Sequence, residues 1–176
     1  MSTYQSKSSI FVKVATIGTL ILVTMIALML LTTDKNYGLI GGIILSILII
    51  GTVIYFYANS LNKINIEKES IVLKKNIGQI KIHRSDILKV TRLGYSNLTM
   101  TYGSKGVFGF IGSTMDDSIS FVKDRKNMLK ITTKSKEYIL SSEKCDELVW
   151  EIKTLYNTIY PQVRVDSTAS ESTRTC

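Results

Sequence analysis

Few side chains in this sequence are of types that do chemistry, and their spacing leaves them little to do it with. His83 is the single histidine among 176 residues, which excludes a histidine pair for a metal. Alternation with Lys81 places it on the face of a strand. Asp116 and Asp117 are adjacent, and on an extended chain neighbouring side chains point to opposite faces, which suits a solubilising loop better than shared proton transfer. Ser96 lies in Gly-Tyr-Ser-Asn-Leu, without the second glycine of a nucleophile elbow. Gly103-Ser-Lys-Gly106 is shorter than a phosphate-binding loop, and no strand-loop-helix pattern follows it. Cys145 and Cys176 are too few for a disulfide framework and spaced for no metal site. The expectation is a protein with no catalytic residues, no metal site and no cofactor.

The elements around these residues divide sharply. Residues 14–31 and 39–57 form two uncharged runs of eighteen and nineteen residues, each about 27–28 Å long as helix against a hydrocarbon core of about 30 Å. They read as transmembrane helices joined by a loop at 32–38. So short a link makes them antiparallel neighbours. Lys7 and Lys13 precede the first run, and Lys63, Lys68, Lys74 and Lys75 follow the second. The loop carries Lys35 offset by Asp34. The positive-inside rule then puts both termini in the cytoplasm, with residues 1–13 a cytoplasmic tail in a multi-pass protein of the inner membrane. Tyr37 at one end of the second run, and Tyr55, Phe56 and Tyr57 at the other, suit interfacial anchors. A cleaved signal peptide fits less well, because Leu-Leu-Thr-Thr-Asp-Lys offers no small-residue cleavage site. Gly38, Gly42 and Ser46 recur every four residues. This small-residue stripe suits close packing against the first helix, or alternatively an oligomerisation face.

After Asn59 the pattern changes to short alternating runs separated by turn residues. Ile64 and Ile66, Ile71 to Leu73, and Ile80 and Ile82 mark three strands, with Asn76-Ile77-Gly78 as a hairpin turn. Further strands are expected at 87–93, 119–123, 128–133 and 137–141. Residues 94–117 are less regular, with five glycines interleaved with aromatic and aliphatic residues. A closing helix is expected after Ser142 as N-cap, with Leu148, Ile152, Leu155 and Ile159 as its apolar stripe, Trp150 off the stripe and Pro161 as its stop. The polar tail at 163–176 reads as disordered. The fold class is therefore a two-helix transmembrane hairpin followed, at 61–160, by an α+β domain of about seven antiparallel strands in a small barrel or sandwich plus one C-terminal helix.

That order is the order of a pleckstrin-homology domain, and three stretches carry the likeness further. NKINIEKESIVLKKNIGQIKIHRSDILKV, from Asn62 to Val90, resembles the opening of bacterial pleckstrin-homology domains. GSKGVFGFIGS, from Gly103 to Ser113, resembles the Gly-x-Phe-Gly-Tyr-x-Gly segment of one bacterial subfamily, with Gly106, Phe108, Gly109, Phe110 and Gly112 as the matching residues. MLKITTKSKEYILS, from Met128 to Ser141, resembles its following hairpin. The chain departs in having Phe110 where tyrosine is common and in a polar stretch at 113–118. The resemblance implies a PH-like domain beside membrane helices.

Charge is the remaining signal. Residues after Asn59 hold nineteen Lys or Arg against thirteen Asp or Glu. Lys63, Lys68, Lys74, Lys75, Lys81 and Arg84 lie close in sequence to the membrane tether and are the candidates for contact with an anionic membrane lipid surface. Nucleic acid is not expected, since the basic residues are dispersed and no recognition motif occurs. The function expected is a non-enzymatic, membrane-tethered PH-like module at the cytoplasmic face that docks a protein partner or forms a homo-oligomer. Its alternatives are an anionic-headgroup sensor, or an accessory subunit of a transporter or envelope-stress complex recognised through the hairpin.

Overall fold

A computed structural model describes residues 2–33, 36–95 and 98–157. Its first element is a short strand, β1 (Ser2–Gln5), followed by two long helices, α1 (Ile10–Leu31) and α2 (Asn36–Asn59). Ser9 caps α1, its hydroxyl accepting from the Val12 amide at 3.4 Å. Both helices are apolar around their whole circumference, and only 6% of each apolar window is buried inside the protein. Where they meet, Gly38 and Gly42 face α1: a methyl group on Gly42 would lie 2.8 Å from the Leu31 side chain, and one on Gly38 2.9 Å from Thr33. The third member of that stripe, Ser46, turns its hydroxyl back to the Gly42 carbonyl at 2.8 Å.

The sheet domain follows as β2 (Leu61–Ile66), β3 (Ser70–Lys75), β4 (Gln79–His83), β5 (Ile87–Leu93), β6 (Met100–Gly106), β7 (Gly109–Thr114), β8 (Ile119–Val122), β9 (Met128–Thr133) and β10 (Glu137–Ser141), closed by α3 (Cys145–Asn157). They build two open sheets, ordered β1-β2-β3-β4 and β5-β9-β10-β8-β7-β6. All pairings are antiparallel except β8 with β10. No barrel closes: β1 and β4 are edges of one sheet, β5 and β6 of the other. Inward-facing Ile64, Leu73, Leu129, Ile131 and Leu140 meet Leu148 and Ile152 of α3 in the main core. A second cluster of Leu98, Phe110, Val122, Met128 and Ile139 takes in Val12 of α1.

Several expectations are corrected by this architecture. Ten strands are described rather than about seven, because β1 forms in the stretch expected to be a tail and β6 and β7 form in the irregular glycine-rich segment. The helix α1 starts at Ile10, so Lys13 belongs to it. Ser142 does not cap α3; its hydroxyl donates to the Gln5 carbonyl at 3.4 Å, and helical geometry begins at Cys145. Ser96, Ile159, Pro161, Cys176 and the tail at 163–176 lie outside the described residues.

The junction between the helical hairpin and the sheets as candidate functional site

β1 places the chain before α1 in the same sheet as the chain after α2. Its register sets Tyr4 opposite Ile64 and Gln5 opposite Lys63. The two outer ends of the helical hairpin therefore meet the sheet domain together. Three sets of contacts hold them there.

The first is the segment running from β1 into α1. The Ser6 amide donates to the Asn62 carbonyl at 3.0 Å, the Glu143 amide to the Gln5 carbonyl at 3.1 Å, and the Ser9 amide to the Lys123 carbonyl at 3.0 Å. Lys7 pairs with Glu143 at 2.7 Å, and the Tyr4 hydroxyl donates to Glu151 at 2.5 Å. Burial, that hydrogen bond and the charge of Glu151 raise the Tyr4 phenol far above its usual range. Eight residues thus touch both sheets and α3 before the helix begins. Lys123, beneath this segment, reaches the Ser6 carbonyl at 3.5 Å with its ammonium, and burial lowers it to about 8.

The second is the β3–β4 turn, which caps the end of α2. The last carbonyls of a helix lack intrahelical donors. Here the Asn76 side chain donates to Tyr57, and the Ile77 and Asn76 amides donate to Ala58 and Ser60, each at 3.0 Å. Lys75 adds a bond to the Asn59 amide oxygen at 3.0 Å.

The third is the glycine-aromatic segment. Gly106 pairs with Gly109 across a two-residue turn of Val107 and Phe108, and Phe108 takes a left-handed φ of 62°. A positive φ at the second central residue alone is the type II arrangement rather than a primed hairpin turn. Further back, Gly103 faces Gly112 so closely that a methyl group on Gly112 would stand 2.0 Å from the Tyr102 carbonyl oxygen. The turn enters the seam between the helices. Its Phe108 ring stacks on Phe56 of α2 with centroids 5.4 Å apart and planes 10° apart. The Phe108 amide donates at 2.8 Å to the hydroxyl of Thr16 in α1, which itself donates to the Val12 carbonyl at 2.7 Å. Phe110 points the other way, buried in the second core under the Arg125 guanidinium, 5.0 Å from its ring centre.

The structure does not gather the six basic residues. Lys63 and Lys74 stand directly opposite each other, near the helices, and Lys75 is bonded to Asn59. Lys81 lies beyond them on edge strand β4. Lys68 and Arg84 sit at the opposite end of the sheet, where Arg84 donates to the Lys68 carbonyl at 3.2 Å and its Nε is buried without a partner. His83 is exposed on the same edge strand as Lys81, and Cys145 is buried, donating to the Met128 carbonyl at 3.3 Å. Burial raises the Cys145 thiol, which opposes thiolate chemistry. Among the described residues, no group of three or more His, Cys, Asp or Glu could hold a metal ion.

Sequence reasoning missed Thr16 and Tyr4, and it read Phe56 only as an interfacial anchor and Asn76 only as a turn residue, without the contacts they make here. Three of them lie in or beside runs legible only as apolar or polar, and their partners are 52 or more residues away in the chain. The Asn-Ile-Gly turn was legible, but not what it caps. Comparison of the chain with protein-family models, curated proteins and solved structures gives no match.

Proposed function

We propose that the chain is a two-pass membrane protein whose basic sheet domain, PH-like in class, works without catalysis as an interaction or self-assembly module at the cytoplasmic face of a bacterial membrane. The observation that carries this reading is the junction: each helix is bonded to the sheet domain, α1 through Thr16 and Val12, α2 through Phe56 and the β3–β4 turn. A domain so held keeps one orientation relative to the bilayer. The membrane reading is supported by large exposed side chains all along both helices, among them Phe11 at 62% and Ile47 at 64%, since apolar surface of that extent is stable only against lipid or protein. The PH-like reading is supported by the strand-rich domain with its closing helix, although the sheets remain open. Those open edges and Trp150, 70% exposed on α3, offer contact surfaces for a partner.

The test is affinity purification of the full chain in mild detergent, beside a hairpin-only variant. Partners lost with the sheet domain support the module; partners kept by the hairpin alone would make the helices the recognition element, as in an accessory subunit. An anionic-headgroup sensor is a second reading, favoured by the pair Lys63 and Lys74. Like charges directly opposite on a sheet are destabilising unless an anion meets them. Binding to anionic vesicles that is unchanged after both lysines become glutamine would remove it.

A further inference from the structure

The helical hairpin is closed at one end and open at the other. Gly38 and Gly42 bring α2 against Thr33 and Leu31, whereas toward the sheet domain the two helices leave space between them, walled by Leu20 and Val23 of α1 and Leu45 and Ile49 of α2. In the open half lie two cavities that share Val53 and Phe108 in their walls. The deeper, about 230 Å³, is lined chiefly by apolar residues of both helices, Leu20, Val23, Leu45 and Ile49 among them. The shallower, about 200 Å³, is lined by Ser8, Lys13, Thr16, Tyr57 and Ser60 besides Val12, Val53, Phe56 and Phe108. Among the described residues lining either cavity, Lys13 is the one Lys, Arg, Asp or Glu.

From this arrangement we infer that the open half of the hairpin is a binding site for one anionic phospholipid, its phosphate at Lys13 and the hydroxyls of Ser8, Tyr57 and Ser60, one acyl chain lying along Leu20 and Val23. This rests on the two-pass reading. From Lys13 to Val23 the helix rises about 15 Å, which is the depth of one leaflet, half of a hydrocarbon core of about 30 Å. The order of surfaces along that depth, hydroxyls and ammonium first and apolar walls below, is the order of groups along a phospholipid. A transmembrane helix of a partner is a poorer occupant, since it needs a seam through the whole core, and here the far half is shut by the two glycines. A zwitterionic lipid matches the shape but not the positive charge of Lys13. The turn bearing Phe108 forms a common wall of both cavities, so a bound lipid touches the sheet domain as well as both helices.

The experiment is native mass spectrometry of the full chain released from vesicles of phosphatidylcholine and phosphatidylglycerol at a ratio of three to one. One phosphatidylglycerol retained per chain, in preference to the more abundant lipid, is the expected result. Lys13→Gln should lower that preference about fivefold, the worth of one basic residue against an anionic surface. Thr19→Phe, which fills the deeper cavity and leaves Lys13 in place, should abolish retention. Lys134→Gln, on the remote β9–β10 turn, should change nothing. Equal retention of both lipids, or retention indifferent to both Lys13→Gln and Thr19→Phe, overturns the proposal. So does a lipid-free mass of two chains, which would give the groove to a second copy. Extraction of the same vesicles with alkaline carbonate separates the two levels of inference: release of the chain means that the two-pass reading has failed, whereas a chain that stays but carries no lipid means that this site alone has failed.

Discussion

Replacing Phe108 by alanine should loosen the sheet domain from the helices without unfolding either. The ring is half-buried and stacked on Phe56. Its removal forfeits an aromatic pair, about 0.5–1.5 kcal/mol, and roughly half of the 1.5–3 kcal/mol for burying such a side chain. The expected loss is about 2 kcal/mol, near a thirtyfold shift in the docking equilibrium. Alanine keeps the left-handed φ of 62°, which costs an L-residue about 1–2 kcal/mol. Glycine loses the same ring but sheds that penalty, so Phe108→Gly should be less damaging than Phe108→Ala by about 1 kcal/mol. Thr16→Val, which removes the acceptor of the Phe108 amide, should cost about 1 kcal/mol. Pulsed electron resonance can read the docking directly, with spin labels at Leu28 on α1 and Met115 in the domain, both exposed, and with both cysteines replaced by serine. The distance distribution should be narrow in the parent, broader in Phe108→Gly and broadest in Phe108→Ala. An unchanged distribution in Phe108→Ala would refute the wedge, and a broader one in glycine than in alanine would refute the strain argument.

Gly112→Ala places a methyl group 2.0 Å from the Tyr102 carbonyl at a φ of 144°; amide exchange should accelerate along β6 and β7, with a stability loss of at least about 2 kcal/mol. Unperturbed exchange there would mean that the two strands can move apart at little cost. Between about pH 8 and 10.5 an unfolded chain holds the Lys123 proton that the folded chain has released, so stability should rise with pH through that window. Thermal melts from pH 7.5 to 9.5 should show the rise, and Lys123→Met should flatten it and raise the melting point at pH 7.5. Asn76→Ala removes the side-chain donor to the Tyr57 carbonyl and should cost about 1 kcal/mol, seen as faster exchange in the last turn of α2.

The helices were legible because a run without charge needs no partner to declare itself. Alternation in Ile64 and Ile66, or in Ile80 and Ile82, likewise marks strands whose inner face is fixed by the core. The glycine-rich hairpin hid for the opposite reason. At Gly103, Gly106, Gly109 and Gly112 there is no side chain to carry a period, and the strands are specified by backbone angles and close approach. β1 hid because four residues, Ser-Thr-Tyr-Gln, have almost no pattern; only β2, far along the chain, makes them a strand. Adjacency in the chain did not say where the basic residues lie in space. An antiparallel strand moves about 3.3 Å with each residue, so Lys63 and Lys68, five apart, end at opposite ends of β2, while Lys74 returns to face Lys63. Ser142 misled because its hydroxyl found the Gln5 carbonyl instead of a helix amide. At the candidate site the motif residues were legible, and their partners Thr16 and Phe56 were not, since nothing in an apolar run marks the positions a distant turn will touch.

The pairing of β1 with β2 also sets an order of events during synthesis. Thr3 leaves the ribosome first, yet its cross-strand neighbour Asn65 is 62 residues behind it, with both long helices between. On the two-pass reading proposed above, the four-stranded sheet is completed only once both helices have been made and the second has returned the chain to the side where β1 waits. On that reading, completion of the sheet would act as a checkpoint on insertion: a chain whose second helix failed to cross would leave β1 and β2 on opposite sides of the bilayer, with one edge of β2 unpaired. Such an edge is a template for aggregation and a signal for quality-control proteases, so mis-inserted chains would be marked for removal by the same four residues that finish the correct fold.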